Sequence, residues 1–316
     1  MTKQIIEITS RDQWLAERTK DITSTEAAAL YGLSPYLTEF ELFHQKRDGV
    51  VVSIDPNERM KWGNRLEDAI ARGAAEDNGW QIEKLDVYMR DTAARIGSSF
   101  DYEITSAYGD RGILEIKNVD GLQYRQNWID DGNGSIEAPE HIELQIQHQM
   151  EVSGYNWTAL VALVGGNELK MTIRKRDYEI GQDLRARSAA FWASIAANKA
   201  PSPDYVADAE FMIKKLYNKA EADRVLEANE MLEDMIDQYN FISRELSDLE
   251  KIKDQYKAQI LEKIGEASKV TSSVGTISCG MVKPSLGTLI TQEMVGTYVG
   301  GRSGYRGFRV TPKKEK

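Results

Sequence analysis

Between Gly63 and Arg176 the chain changes periodicity again and again, and this alternation is the strongest constraint on its fold. "GNRLEDAIARGAAEDN", Gly63 to Asn78, has helical spacing and is stopped by Gly79. "WQIEKLDVYMR", "RIGSSFDYEITSAY", "GILEIKN", "WTALVALVGG" and "ELKMTIRKR" are β-type runs separated by Gly, Asp and Asn turns. Among them "APEHIELQIQHQMEVSGY" is an amphipathic helix closed by Gly154. Upstream, Ser10 caps a helix over "SRDQWLAERTK", and Thr23 or Ser24 is expected to cap a short helix ending at Gly32. Strands mixed with flanking helices predict an α/β or α+β core that ends near Pro201 to Pro203.

The character changes after "KAPSPDY". Val225, Ala228, Leu232, Met235, Tyr239, Ile242, Leu246, Leu249, Lys253, Tyr256 and Ile260 recur at steps of three and four. Such a seam predicts a long helical, coiled-coil-like arm, either an assembly or partner surface or a helix folded back on its own domain. The expected division is residues 1–204 for the core, 205–268 for the arm and 269–316 for a small β-rich basic tail. In the tail Arg302, Arg306 and Arg309 interleave with Tyr305 and Phe308, a pattern suited to nucleic acid.

Charge and cysteine content narrow the chemistry. The formal net charge is -10, and from residue 205 onward 17 basic residues balance 17 acidic ones, so the acid excess lies in the core. DNA contact would need a focused groove rather than a broad basic coat. Cys279 has no partner for an intramolecular disulfide, and three histidines, His44, His141 and His148, form no zinc-type spacing. A metal would need oxygen ligands, as magnesium, manganese and calcium do. No apolar run approaches the ~20 residues of a membrane span, so the chain is expected in the cytoplasm.

"RGILEIKN" sets Glu115 and Lys117 on one face of a strand, with Leu114 and Ile116 on the other. A hairpin turning near Tyr108 or Gly109 puts Asp101 opposite residue 115 or residue 117. Two arrangements satisfy this pattern: a surface ion ladder, or two acids sharing a divalent cation. Glu67 lies on a stripe of small and apolar residues, Gly63, Ile70, Ala71 and Ala74, where an unpaired carboxylate would be costly and needs a metal or another cation.

"ITSTEAAALYGLSPY", "WGNRLEDA", "GSSFDY", "ILEIKN" and "ELQIQHQMEVSG", in this order, resemble the YqaJ viral recombinase domain of the lambda-exonuclease-like PD-(D/E)xK nucleases, over roughly Arg11 to Arg176. The resemblance implies a restriction-endonuclease-like core, a mixed central sheet flanked by helices, and two-metal hydrolysis of DNA. It implies Asp101, Glu115 and the Ile116 carbonyl as ligands of magnesium (or manganese) and Glu67 as a further ligand. Lys117 would orient and help deprotonate the attacking water, and Gln145 would close the site. Arg18, Thr25 and Ser99 match positions that hold a 5′-terminal phosphate. Phosphodiester hydrolysis needs an activated water and stabilisation of the leaving oxygen, which paired metal ions supply. Two departures stand out: Ser99-Phe100-Asp101-Tyr102 replaces the usual Ser-Pro-Asp-Gly, and Asn118-Val119 replaces Cys-Pro.

The function so implied is a processive 5′-to-3′ exonuclease on double-stranded DNA ends. It would work as a homo-oligomeric ring, a trimer, with a single-strand annealing recombinase as partner. An endonuclease or helicase-associated nuclease on the same core, or a non-catalytic DNA-binding scaffold, are the alternatives. Trp62, Trp157, Tyr36 and Phe40 are expected in the core rather than stacked on bases or wedged into a duplex, and His141 and His148 at the surface or behind the site.

Overall fold

The computed structural model describes residues 3–49, 57–132, 135–221, 224–282 and 291. Two compact units emerge, Met1–Phe211 and Met212–Lys316. The first is a mixed α+β unit. It opens with β1 (Lys3–Glu7), α1 (Arg11–Arg18), β2 (Ile22–Thr23), a 3-10 turn (Ala27–Tyr31), α2 (Glu39–Arg47) and α3 (Glu58–Asn78). The strands β3 (Gln81–Lys84), β4 (Val87–Asp91), β5 (Ile96–Ser99), β6 (Tyr102–Thr105) and β7 (Arg111–Val119) follow. After α4 (Gly121–Asn127), β8 (Ile129–Asp130) and β9 (Ile136–Glu137) come α5 (Glu140–Ser153), β10 (Trp157–Val164), β11 (Glu168–Lys175), α6 (Tyr178–Ala196) and α7 (Ala209–Phe211).

The caps follow local chemistry. Ser10 accepts the Gln13 amide at the start of α1, and glycines in left-handed geometry end α3 and α5, Gly79 at φ 65° and Gly154 at φ 77°. Neither Thr23 nor Ser24 caps the Ala27–Tyr31 turn. Glu26 stands at its cap position, and the Glu26 carboxylate instead accepts the Thr23 amide at 2.9 Å.

Two of the β-type runs break between two sheets. Residues 80–90 split at Leu85 and Asp86 into β3 and β4, and residues 95–108 split at Phe100 and Asp101 into β5 and β6. β4 and β5 belong to a sheet ordered β1-β4-β5-β2, while β3 and β6 belong to a sheet ordered β11-β10-β7-β6-β3. In the second sheet β7 and β10 run parallel and the other pairs antiparallel. Alternation on β7 then decides what each helix meets. Leu114 and Ile116 pack with Ala159 and Val161 under Ile70, Ala71 and Ala74 of α3. Ile113 on the opposite face joins Met150 of α5 in another cluster, and Glu115 lies on that same face. Gly112 is required here, because a Cβ on it would come within 2.4 Å of the Trp157 indole.

The first compact unit runs on past residue 204 to Phe211. Asp208 is buried, its carboxylate receiving the Thr38 hydroxyl and the Asp204 amide, and the Phe211 ring meets Phe40 and His44. The second unit contains a π-helical turn (Met212–Leu216), the 35-residue helix α8 (Glu230–Ile264) capped by Asn229, and a hairpin of β12 (Lys269–Ser272) and β13 (Gly275–Ser278). Leu232 to Ile260 of the apolar seam lie on α8, whereas Val225 and Ala228 precede it. The basic aromatic pattern at Arg302, Tyr305, Arg306, Phe308 and Arg309 lies outside the described residues. Among the described residues no helix is long and apolar enough to cross a membrane.

Candidate active site

The site begins where β6 stops. Tyr102 pairs with Leu114 as the last rung of the β6–β7 ladder, so residues 115 to 119 project past it. Of the two registers open to the hairpin, the one continuing toward Asp101 and Glu115 is realised. The Ile116 amide, without a strand partner on that side, donates to Asp101 Oδ2 at 2.9 Å. The chain's step from one sheet to the other at Phe100–Asp101 thus delivers a carboxylate to the exposed edge of β7.

Glu115 is no surface ladder residue. It is 2% exposed, and α5 covers it. Glu115 Oε1 accepts from Lys117 Nζ at 2.5 Å and from Gln145 Nε2 at 2.6 Å, while Oε2 accepts from Gln149 Nε2 at 2.6 Å. Lys117 Nζ also donates to Gln145 Oε1 at 3.2 Å. A buried carboxylate without such donors would be strongly disfavoured. Gln145 and Gln149 reach one acid because they stand one turn apart on the same face of α5. Gln149 also donates to the Ser99 carbonyl at 3.4 Å.

Electrostatics reinforces the geometry. Burial first, and then the Glu115 charge, hold the Asp101 carboxyl well above the usual carboxylate range. Burial alone would lower Lys117, but the Glu115 and Asp101 charges outweigh it and keep the ammonium protonated. In this arrangement Lys117 offers its N–H groups and positive charge to Glu115 and Gln145.

Glu67 stands apart from this cluster. Its carboxylate accepts from Lys84 Nζ at 3.1 Å, and Lys84 also lies over the Tyr102 ring. The cation demanded by the apolar stripe of α3 is therefore supplied by Lys84. Glu67 remains near enough to add to the negative field on Asp101. Among the described residues no three His, Cys, Asp or Glu side chains converge to hold a metal ion. The expected ligand set is accordingly split: Asp101, Glu115 and Ile116 come together at the β7 edge, and Glu67 is drawn toward Lys84.

Arg18, Thr25 and Ser99 are gathered through a residue the spacing did not single out. Arg18 Nη2 donates to Thr25 Oγ1 at 2.9 Å, and Trp14 Nε1 donates to Ser99 Oγ at 2.7 Å. The Arg18 guanidinium lies over the Trp14 ring, 4.5 Å from its centroid. Trp14 so joins the other three. Behind them Lys46, 8% exposed, donates to the Arg18 carbonyl and pairs with Glu26, each at 2.7 Å. The i to i+4 relation of Trp14 and Arg18 on α1 was the available signal, and it reads equally as an ordinary amphipathic face.

The aromatic and histidine expectations divide. Phe40 is buried and Trp157 packs against the α3 cluster, but Trp62 is half exposed and Tyr36 is almost fully exposed. Trp62 is covered on one side by Arg65 rather than by the core, and Tyr36 sits on the loop before α2. His148 lies fully inside, whereas His141 is partly exposed near Lys117.

Residues 13–156 match the YqaJ-like viral recombinase domain. Over 262 residues the chain is 28% identical to the uncharacterized protein YqaJ of Bacillus subtilis (strain 168), covering 82% of this chain and 79% of that one. Among solved structures, the alkaline exonuclease LHK-Exo of Laribacter hongkongensis aligns at 20% identity and TM-score 0.46 over 59% of this chain and 93% of its own. The same enzyme in complex with dAMP aligns at TM-score 0.48. A phage-related exonuclease from Haemophilus somnus 129PT aligns at 13% identity and TM-score 0.34, covering 61% and 90%.

Proposed function

We propose, for a chain whose residues 13–156 match the YqaJ-like viral recombinase domain, that it is a magnesium-dependent deoxyribonuclease, a processive 5′-to-3′ exonuclease on linear duplex DNA. One observation carries the reading: Asp101 and Glu115 meet at the free edge of β7 with Lys117 on Glu115. Two carboxylates forced together, one with its carboxyl pushed far up, form a site whose repulsion a divalent cation relieves. The donors are hard oxygens, which suits magnesium, with manganese able to replace it. Asp101, Glu115 and the Ile116 carbonyl would hold the ion, with Glu67 joining on release from Lys84. The metal, when bound, supplies charge stabilisation for phosphodiester hydrolysis.

The chain's own groups do the positioning. Lys117 orients the attacking water, Gln145 and Gln149 fix the Glu115 carboxylate, and Arg18 with Thr25 and Ser99 receives the terminal phosphate. A guanidinium flanked by hydroxyls suits that anion, and this cluster supports 5′-to-3′ polarity. Copies of the chain close into a ring, a trimer, around the duplex, and a single-strand annealing recombinase takes up the 3′ strand left behind. Light scattering tests the ring.

The decisive experiment digests linear duplex carrying 5′-phosphate or 5′-hydroxyl ends with wild type and Lys117→Ala, in magnesium or EDTA. Metal-dependent loss of one strand, faster from 5′-phosphate and abolished in the variant, is expected. No digestion by wild type sinks the reading, and cutting of a closed circular plasmid replaces it with an endonuclease.

A further inference from the structure

Tyr36 is 83% exposed, yet the backbone that carries it is fixed from several directions. Pro35 restricts the residue before it, and the Ser34 hydroxyl accepts the amides of Tyr36 and Leu37 at 3.3 and 3.2 Å. Leu37 packs against the main core cluster, and Thr38 caps α2. A large ring is therefore presented to solvent from an anchored loop, so ordering it on a ligand costs little further entropy.

Its surroundings point toward the active site. The Tyr36 ring meets His141 edge-on, with centroids 5.8 Å apart and planes at 88°. His141 precedes Gln145 by one helical turn and Gln149 by two, so it shares the α5 face whose amides grip Glu115. The charge of Lys117 reaches both His141 and the Tyr36 phenol. Burial and Lys117 both favour neutral His141, which leaves it an uncharged brace. By contrast the other exposed aromatic near the start of α3, Trp62, is covered on one side by Arg65.

We propose that Tyr36, braced by His141, is the stacking platform for the terminal nucleobase of the strand being cut. This rests on the exonuclease reading and adds to it a residue that holds the substrate base beside Lys117. An edge contact with His141 leaves the faces of the tyrosine ring for a base, and stacking of this kind tolerates any sequence because every base has a π-face. The platform thus suits an enzyme that must advance through all sequences.

The test compares kcat/KM on linear duplexes whose 5′-terminal nucleotide is normal or abasic, for wild type, Tyr36→Ala and Tyr36→Phe. On the normal end Tyr36→Ala is expected to lose about tenfold, mainly in KM, and Tyr36→Phe to retain activity. The abasic end should lower wild type by a similar factor and leave Tyr36→Ala unchanged, since the same contact is already gone. Independent, multiplying losses, or an unaffected Tyr36→Ala, overturn the platform while leaving the exonuclease reading intact. Terminal 2-aminopurine fluorescence gives a readout free of turnover: quenching on binding to wild type and none with Tyr36→Ala is expected. Equal signals overturn the proposal even if no digestion occurs. Unchanged melting of Tyr36→Ala excludes unfolding as the cause.

Discussion

Asp101 Oδ2 accepts the Ile116 backbone amide at 2.9 Å, closing by a side chain the ladder position that β6 leaves empty. The same carboxylate that satisfies the strand edge also faces Glu115. The hydrogen bond that anchors Asp101 and the burial that disfavours its charge therefore oppose each other at one residue.

Asp101→Asn should separate the two. The folded Asp101 carboxyl is raised, so ionising it above its unfolded pKa costs stability, a cost that grows as pH rises toward the folded pKa. Asparagine keeps an oxygen for the Ile116 amide and removes the charge. In EDTA at neutral pH, Asp101→Asn is expected to gain about 1 kcal/mol, roughly 3 °C in Tm for a unit of this size, and to lose digestion. Magnesium should raise the Tm of wild type and leave the variant unmoved. Calorimetry with and without the ion decides it.

Gln149 is the least conspicuous member of the site, and its loss should be felt in turnover. Its amide is the hydrogen-bond donor to Glu115 Oε2, at 2.6 Å. Gln149→Leu keeps the bulk and leaves that oxygen unpaired inside, a loss of ~2 kcal/mol for a charged acceptor. A fall in kcat of at least tenfold with little change in KM is expected. Equal kcat would mean that Lys117 and Gln145 suffice to fix Glu115.

Much of this arrangement was legible in the chain because it is local. Periodicity located α3, α5 and β7, and two-residue alternation put Glu115 and Lys117 on one face. Turn geometry limited Asp101 to two partners. What pattern reading missed depends on distance in sequence. The breaks at Leu85–Asp86 and Phe100–Asp101 look like continuous strands, because leaving one sheet for another carries no compositional mark. Lys84 as the cation on Glu67, 17 positions away, and Trp14 on Ser99, 85 positions away, are products of tertiary packing. Burial of Glu115 was likewise invisible, since a polar residue on a strand reads as the solvent side.

Trp14 offers a direct probe of the proposed phosphate pocket. Trp14→Phe retains a ring beneath Arg18 but removes the N–H that holds Ser99 Oγ. The preference for 5′-phosphate over 5′-hydroxyl ends should fall by about fivefold, the worth of one neutral hydrogen bond. Rates on 5′-hydroxyl ends should stay the same. A uniform drop on both substrates would assign Trp14 to packing alone.

The edge of the first unit can be tested by truncation. A chain ending at residue 211 keeps Asp208 on Thr38 and Phe211 beside Phe40 and His44. Ending at residue 204 removes these contacts and bares the α2 aromatics. The shorter chain is expected to be less stable by about 2 kcal/mol, a Tm lower by about 5 °C than that of the chain ending at 211. Matching melting curves would return the boundary to the Pro201–Pro203 turn.

His148 should set part of the acid limit of the fold. It is fully buried, and burial pushes its pKa down to about 4. The unfolded side chain titrates near 6.5, so below that pH the unfolded state binds a proton that the folded state refuses. Stability is thus intact above pH 6.5 and falls as pH drops toward 4, by roughly 3 kcal/mol over the window. The Ile22 backbone, Glu26 and Glu151 favour the charged form while Arg185 opposes it, and the low value is what remains after that balance. His148→Phe fills similar volume without a titrating group. Urea titrations at pH 7 and pH 4.5 should yield a smaller acid loss for the variant than for wild type. An identical pH dependence in both would mean that the acid sensitivity of the fold arises at other groups.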